Sequence, residues 1–491
     1  MYITTKGMAF MKKIIGVLLA LALCAGIAGV PAFAEESAPE SLGAPVSMED
    51  KSSVPEEPAV PIVQLGGYGM PLYLNDGTPE AEDVLDNAMK AAAAELPAVL
   101  KGIFWEAVLH PLGGLRNPNR AADALADCTM RILGTLACDE NGESIQPVSN
   151  ASLNEDEFGT PWWYEDDDWV PDNEYEFHFD WRLDPMESAR ALDAFIQEVK
   201  RESGSEKVHL YTLSFGGVVC CAYLAQFGTG DLESVFLFQS AHGGMTLAED
   251  LIQKKFAVSG KGLAAFLGWA APRYKTLIKA LELVGIFKLA EWLVNPFLRR
   301  IKDRFYERAM VPLLVQMPGS WGFITETAIF DDAKETLLGD PEHYAGLIEK
   351  IDDYHYKAGW RTNEILAEAA KEIKLALVCG YGHAPIPLGG TFLYQSDFMI
   401  GTARASGGAF CADYGKTLPK GYAQANPDGH NHLSGDRIID ASACVLPEQT
   451  WFVKGLEHTF DFEGVGLYHW FLAFDGQPTV WSDPAYPQFR G

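Results

Sequence analysis

The stretch from Glu187 to Phe238 constrains the chain most, because its hydrophobic period changes repeatedly within a short span. From Glu187 to Glu202 apolar residues recur at intervals of three and four, which predicts a helix. The run Val208–Thr212 predicts a buried strand, Ser214 falls in a turn, Gly217–Phe227 predicts a second helix, and SVFLF (Ser234–Phe238) a second buried strand. Strands alternating with helices belong to a parallel sheet, whose strands read as unbroken apolar runs because both faces are covered. Three more such runs follow this pattern. They are PIVQL (Pro61–Leu65), closed by Gly66-Gly67-Tyr68-Gly69, then LALVC (Leu375–Cys379), and Thr450–Val453. The expectation is an α/β fold with a mostly parallel sheet.

Around this core the organisation is uneven. Lys12 and Lys13 precede the apolar run Ile14–Leu23, and Ala32-Phe33-Ala34 supplies small residues for cleavage, so residues 1–34 read as a secretory signal peptide. The bulky Leu23 before Cys24 argues against lipoprotein processing. Residues 35–60 are rich in Pro, Ser and Glu and nearly free of aliphatic side chains, the composition of a disordered spacer. Residues 61–491 then form the folded part, with 81–136 mostly helical in pattern. Within it, residues 245–371 are long, helical and apolar, an insertion expected to cap the carboxyl edge of the sheet. The expected location is extracytoplasmic.

The net charge of -29 argues against a nucleic-acid partner, since neutralising phosphates needs clustered Lys and Arg. Seven of the eight cysteines follow the signal segment, too sparse for a disulfide scaffold, with Cys128 and Cys138 the pair near enough in sequence to bridge. No CxxC or Cys/His zinc spacing occurs. Asp428, His430 and His432 offer an H-x-H pair, and Glu165–Asp168 an acidic run, but histidines in a glycine-rich loop and charge runs are more often solvated. No metal and no cofactor is expected.

The chemistry centres on Ser214. A serine hydroxyl becomes a nucleophile when a base takes its proton and donors stabilise the oxyanion that forms. In the α/β-hydrolase fold the serine occupies a sharp strand-to-helix turn, with acid and then histidine following in the chain. Thr212-Leu213-Ser214-Phe215-Gly216-Gly217 fits that turn, although the β-branched Thr212 stands where glycine is usual and is expected to crowd it. His458, after the strand Thr450–Val453, is the expected base, and Asp436 the expected acid, with Asp440 the alternative. The oxyanion donors are the backbone N–H groups of Phe215 and, in the glycine turn after Leu65, of Tyr68.

Phe179-Asp180-Trp181-Arg182-Leu183-Asp184-Pro185, the Ser214 turn, Ala241-His242-Gly243-Gly244, Cys379-Gly380-Tyr381-Gly382, the Asp436 segment and Gly-Leu-Glu-His ending at His458 together resemble the lecithin:cholesterol acyltransferase family and its bacterial lipase-like relatives. The resemblance runs from Pro61 to about Phe471. It implies a Ser-Asp-His hydrolase or acyltransferase acting on lipid esters, with Tyr68 and Phe215 at the oxyanion positions. Thr212, Leu213 and His242 depart from the family pattern. Two other readings share the residues: a non-catalytic envelope or binding protein of the same fold, and an amide or peptide hydrolase.

Between Lys254 and Arg308 the insertion carries 12 Lys and Arg against 4 Asp and Glu, interleaved with apolar residues such as Phe266, Trp269, Leu283 and Trp292. A basic amphipathic segment suits an anionic membrane surface, and equally a cap whose apolar face packs on the sheet.

Overall fold

The computed structural model describes residues 60–70, 72–74, much of 82–99, 118–150, 173–458 and 463–491. The signal segment, the spacer and the acidic run Glu165–Asp168 lie outside them.

Seven strands form one all-parallel sheet: β1 (Ile62–Leu65), β2 (Glu174–Phe177), β3 (Val208–Leu213), β4 (Leu232–Phe238), β5 (Lys374–Tyr381), β6 (Thr450–Lys454) and β7 (Phe489–Arg490), in the order β7-β6-β5-β4-β3-β1-β2. Five of these are the apolar runs anticipated above. The two edge strands were not, because EYEF and FR carry charge and little periodicity. This is an α/β fold built on a parallel sheet.

Period-two alternation divides the strands between two cores. Val63, Leu65, Leu210, Val235, Leu237, Leu375 and Leu377 face one layer, where α2 (Pro185–Ser203) contributes Leu192 and Ile196 and α3 (Gly216–Phe227) contributes Val218 and Val219. Ile62, Leu213, Phe236, Phe238, Ala376, Val378 and Trp451 face the other, against Leu467, Tyr468 and Phe471 of the helix Glu463–Ala473. Both faces are therefore dry, which is why the strands contain so few polar residues. Preceding them in the chain, α1 (Pro118–Leu133) buries Leu125 and Ile132 in the first core.

Helix α2 begins as its sequence directs. Asp184 caps it, Oδ1 accepting from the Met186 N–H at 2.9 Å, and Pro185 occupies the first turn.

Between β4 and β5 the chain is helical: α4 (Thr246–Ile252), α5 (Gly260–Ala270), α6 (Lys275–Leu283), α7 (Ile286–Phe305), a π-helical turn Tyr306–Val315 that accommodates Pro312, then α8 (Thr327–Leu337), α9 (Ala345–Lys357) and α10 (Thr362–Ala369). The last part does not cover the carboxyl edge. Helices α9 and α10 instead pack on α2 and α3, joining the layer over one sheet face. Within the first part, α5, α6 and α7 share a small core of Ala264, Ile278 and Phe287.

Cys128 and Cys138 are both free thiols, as are Cys220, Cys221, Cys379, Cys411 and Cys444, so the one pairing the sequence allowed is not made.

Candidate active site

The sheet order reverses between β1 and β3, since the chain leaves β1 for its outer neighbour β2 and returns on the other side. Open α/β sheets bind ligands in the crevice at the carboxyl ends of the strands flanking such a switch point. Leu65 pairs with Thr212 across this gap, so the glycine turn after β1 and the Ser214 turn after β3 emerge side by side.

Ser214 has φ +54°, a left-handed conformation that costs a non-glycine residue about 1–2 kcal/mol. The surroundings hold it there. Its N–H donates to Phe238 O at 3.2 Å, and its carbonyl accepts from Ala241 N at 2.9 Å and Gly217 N at 3.1 Å. The two neighbouring turns touch so closely that side chains are excluded. A Cβ on Gly67 would lie 2.9 Å from Ser214 Cβ, and one on Gly216 would lie 2.8 Å from both Gly66 O and Leu65 O. The expected crowding by Thr212 does not break the sheet, whose register runs on through Thr212 to Leu213 beside β4. Thr212 is fully buried, and its hydroxyl has no hydrogen-bond partner among the described residues.

His458 is the residue that meets the serine. Its Nε2 lies 2.9 Å from Ser214 Oγ, and its Nδ1 lies 2.8 Å from an oxygen of Asp397. An ionised carboxylate only accepts, so Nδ1 carries the proton and Nε2 is left to accept from the serine hydroxyl. Asp397 is buried in the loop after β5. Its Oδ1 accepts from the Met399 and Ile400 N–H groups at 3.0 and 2.7 Å, and its main-chain carbonyl accepts from the His458 N–H at 2.9 Å. Acid and base are thereby tied through both side chain and backbone.

The expected acid is therefore displaced. Asp436 binds Lys454 Nζ at 2.9 Å, Ser434 Oγ at 2.7 Å and Tyr381 OH at 3.3 Å. Burial alone would raise its carboxyl, but the hydrogen bonds from Lys454 and Ser434 prevail and hold it below the usual value. The alternative, Asp440, is fully buried and caps a turn, accepting from the Ser442 N–H and hydroxyl, the Ala425 N–H and the Tyr422 hydroxyl. Neither approaches His458, whose Nδ1 is already engaged.

Asp397 was missed because the order acid then histidine is equally satisfied by five aspartates between β5 and β6: Asp397, Asp413, Asp428, Asp436 and Asp440. Position offered a signal. Asp397 is the first aspartate after the apolar run of β5, in the loop leaving a central strand's carboxyl end.

Phe215 is the N-cap of α3, where backbone N–H groups lack intrahelical acceptors. Tyr68 lies opposite in the glycine turn. Its ring packs on Trp181, Phe323 and Phe215 at centroid distances of 4.0, 5.3 and 5.7 Å, and its hydroxyl lies 3.4 Å from Ser320 Oγ. Burial pushes the phenol well above its usual pKa, keeping it neutral.

The Asp180-Trp181-Arg182 run braces this turn. Trp181 donates its indole N–H to Met70 O at 3.0 Å. The buried Arg182 guanidinium grips Asp180 through two bonds of 2.9 and 2.6 Å, and also binds Leu136 O and Ser144 Oγ.

The H-x-H pair is occupied by the protein itself. His432 is fully buried, with Gln488 Oε1 and Asp428 Oδ2 each 2.9 Å from its two ring nitrogens, while His430 stacks on Trp481. Among the described residues no cluster of three potential metal ligands occurs.

No protein-family profile and no curated protein matches the chain. Among solved structures, a chain in "The crystal structure of Tle4-Tli4 complex" is similar at a TM-score of 0.21 and 13% identity, over 39% of this chain and 48% of that one. The present chain thus spans about half the length of that relative, and the fold rests on its own sheet topology.

Proposed function

We propose that this chain is an exported serine hydrolase of acyl esters, with Ser214 as nucleophile, His458 as base, Asp397 as the acid that orients it, and the Phe215 and Tyr68 N–H groups as oxyanion donors. The observation that carries this reading is the continuous relay Ser214 Oγ, His458 Nε2, His458 Nδ1, Asp397 Oδ2, with links of 2.9 and 2.8 Å, on a serine held at φ +54°. A structural serine has no need of a strained backbone and a base aligned by a buried carboxylate.

In this reading Ser214 Oγ attacks the acyl carbonyl while His458 Nε2 takes its proton. The negative charge forms against the two backbone N–H groups. His458 returns the proton to the departing alcohol, leaving an acyl-serine. A water or second alcohol, deprotonated by the same nitrogen, then releases the acid or a new ester.

Lipid esters are the proposed substrates, as the resemblance to the lecithin:cholesterol acyltransferase family implies, and an anionic membrane surface is the proposed partner. Around the α6–α7 turn Leu277, Leu283, Val284, Leu289 and Trp292 are exposed, Leu283 at 89%. Arg273, Lys275, Lys279 and Lys288 are exposed among them, opposed there by the single exposed acid Glu282. Apolar side chains ringed by cations on a strongly acidic protein suit an anionic interface. Among the described residues no helix is long and apolar enough to cross a membrane.

The test is labelling by a fluorophosphonate probe. Wild-type protein should be modified at Ser214, and Ser214→Ala should not react. A wild type that resists the probe and cleaves no p-nitrophenyl ester would instead mark a non-catalytic member of the fold.

A further inference from the structure

Acid and base lie on separate loops, one after β5 and one after β6, and a single residue of the helical segment touches both. Trp269, near the end of α5, packs on Phe398 with centroids 4.2 Å apart, and Phe398 directly follows Asp397. The same indole donates its N–H to the carboxylate of Glu457, which directly precedes His458. Phe398 has φ +83°, a conformation that a bulky residue keeps only where its surroundings enforce it. Its ring also packs against His383 at 4.1 Å, and edge-on against Phe266 of α5 at 6.5 Å. Glu457 is held a second time at its main-chain carbonyl, which accepts from the side-chain amide of Gln239 at the end of β4.

Gln239, at the end of β4, thus holds the base loop, and Trp269 of α5 contacts both loops. Serine hydrolysis does not itself require a tryptophan here. Its position makes sense as a spacer that fixes the distance between the two loops, and so the 2.8 Å contact between Asp397 and His458. Displacing an oriented catalytic group by about 1 Å costs about a hundredfold in rate, so a support shared by both loops is worth a great deal to turnover.

We propose that Trp269 is a positioning residue for the reaction: packed on Phe398 and hydrogen-bonded to Glu457, it aligns Asp397 with His458, so that turnover depends on α5 being seated. The inference rests on the hydrolase reading above. The competing role is a plain wall of the substrate site, which would alter binding of long acyl chains and leave the chemistry of short ones untouched.

The experiment measures kcat and KM for a short, soluble p-nitrophenyl ester, normalised by active-site titration, together with the second-order rate of labelling by a small fluorophosphonate. Trp269→Ala should lower kcat by about ten- to a hundredfold with little change in KM, and should slow labelling by a similar factor. Trp269→Phe, which keeps a ring on Phe398 and loses the N–H, should fall between it and wild type. Glu457→Ala should lower kcat, and Glu457→Gln, which restores an acceptor oxygen, should recover most of that loss. Should Trp269→Ala fail to fold, Trp269→Phe and the Glu457 pair carry the test. Unchanged kcat and labelling in the folded variants would overturn the inference while the hydrolase reading stands. A wild type inert to the probe would overturn the hydrolase reading itself.

Discussion

Replacing Asp397 by Asn tests the acid assignment with the least disturbance. The amide is nearly isosteric, and its carbonyl oxygen can keep accepting from the Met399 and Ile400 N–H groups. Its NH2 then faces His458 Nδ1, which stood 2.8 Å from a carboxylate oxygen. To avoid a clash of donors the imidazole must place its proton on Nε2, and the atom 2.9 Å from Ser214 Oγ can no longer accept the serine proton. Loss of the correct tautomer costs about 10⁴ in kcat, or about 5.4 kcal/mol at 1.36 kcal/mol per tenfold. The fold should survive, since the loop's backbone bonds remain. Asp436→Asn is the matched control. It weakens a partly exposed pairing with Lys454 worth about 0–1 kcal/mol and leaves the relay intact, so kcat should change by less than about threefold. Initial rates on a soluble p-nitrophenyl ester, with thermal melts of both variants, decide the matter. A crippled Asp436→Asn beside an active Asp397→Asn would refute the reasoning from geometry.

Thr212→Val deletes a buried hydroxyl that has no partner among the described residues and keeps the branched shape, so it should raise stability by about 1 kcal/mol in urea titration. A loss of stability or activity would show that the hydroxyl has a function. Burial raises the Glu174 carboxyl from 4.5 to about 7, against the opposing hydrogen bond from Gln64. The folded state therefore binds the proton more tightly than the unfolded chain, and stability should fall as pH rises from about 4.5 through 7. Glu174→Gln should flatten that slope, and an identical slope in the variant would exclude Glu174 as its source. Reversing Arg273, Lys275, Lys279 and Lys288 to Glu should abolish any preference for anionic over neutral vesicles while short-ester hydrolysis persists, because surface attraction decays over about 8 Å at physiological salt. Equal binding of wild type to both vesicle types would leave the α6–α7 turn without an electrostatic role.

The sheet was legible because burial on both faces imposes unbroken apolar runs, and five strands carry them. The edge strands β2 and β7 have fewer neighbours to satisfy, so EYEF and FR bear no comparable mark. Ser214 and His458 were legible for a similar reason: each sits where a clear strand ends, and the glycines beside Ser214 are demanded by backbone contacts that tolerate no Cβ. Asp397 lacked such a signature. Its role depends on a loop that doubles back from β5 to meet the loop after β6, joined by the bond from His458 N to Asp397 O, and a long-range closure of that kind leaves no local periodicity. The basic residues of the insertion show the same limit. Sequence counts them alike, yet Arg304 and Arg308 are spent on Asp123 and Asp127 of α1, whereas Lys275, Lys279 and Lys288 stay exposed beside Leu283 and Trp292. Local pattern thus identifies residues whose task is set by their own strand or turn. Residues whose task is set by a partner distant in the chain, Asp397 by His458 and Arg304 by Asp123, become readable only once the fold has brought the partners together.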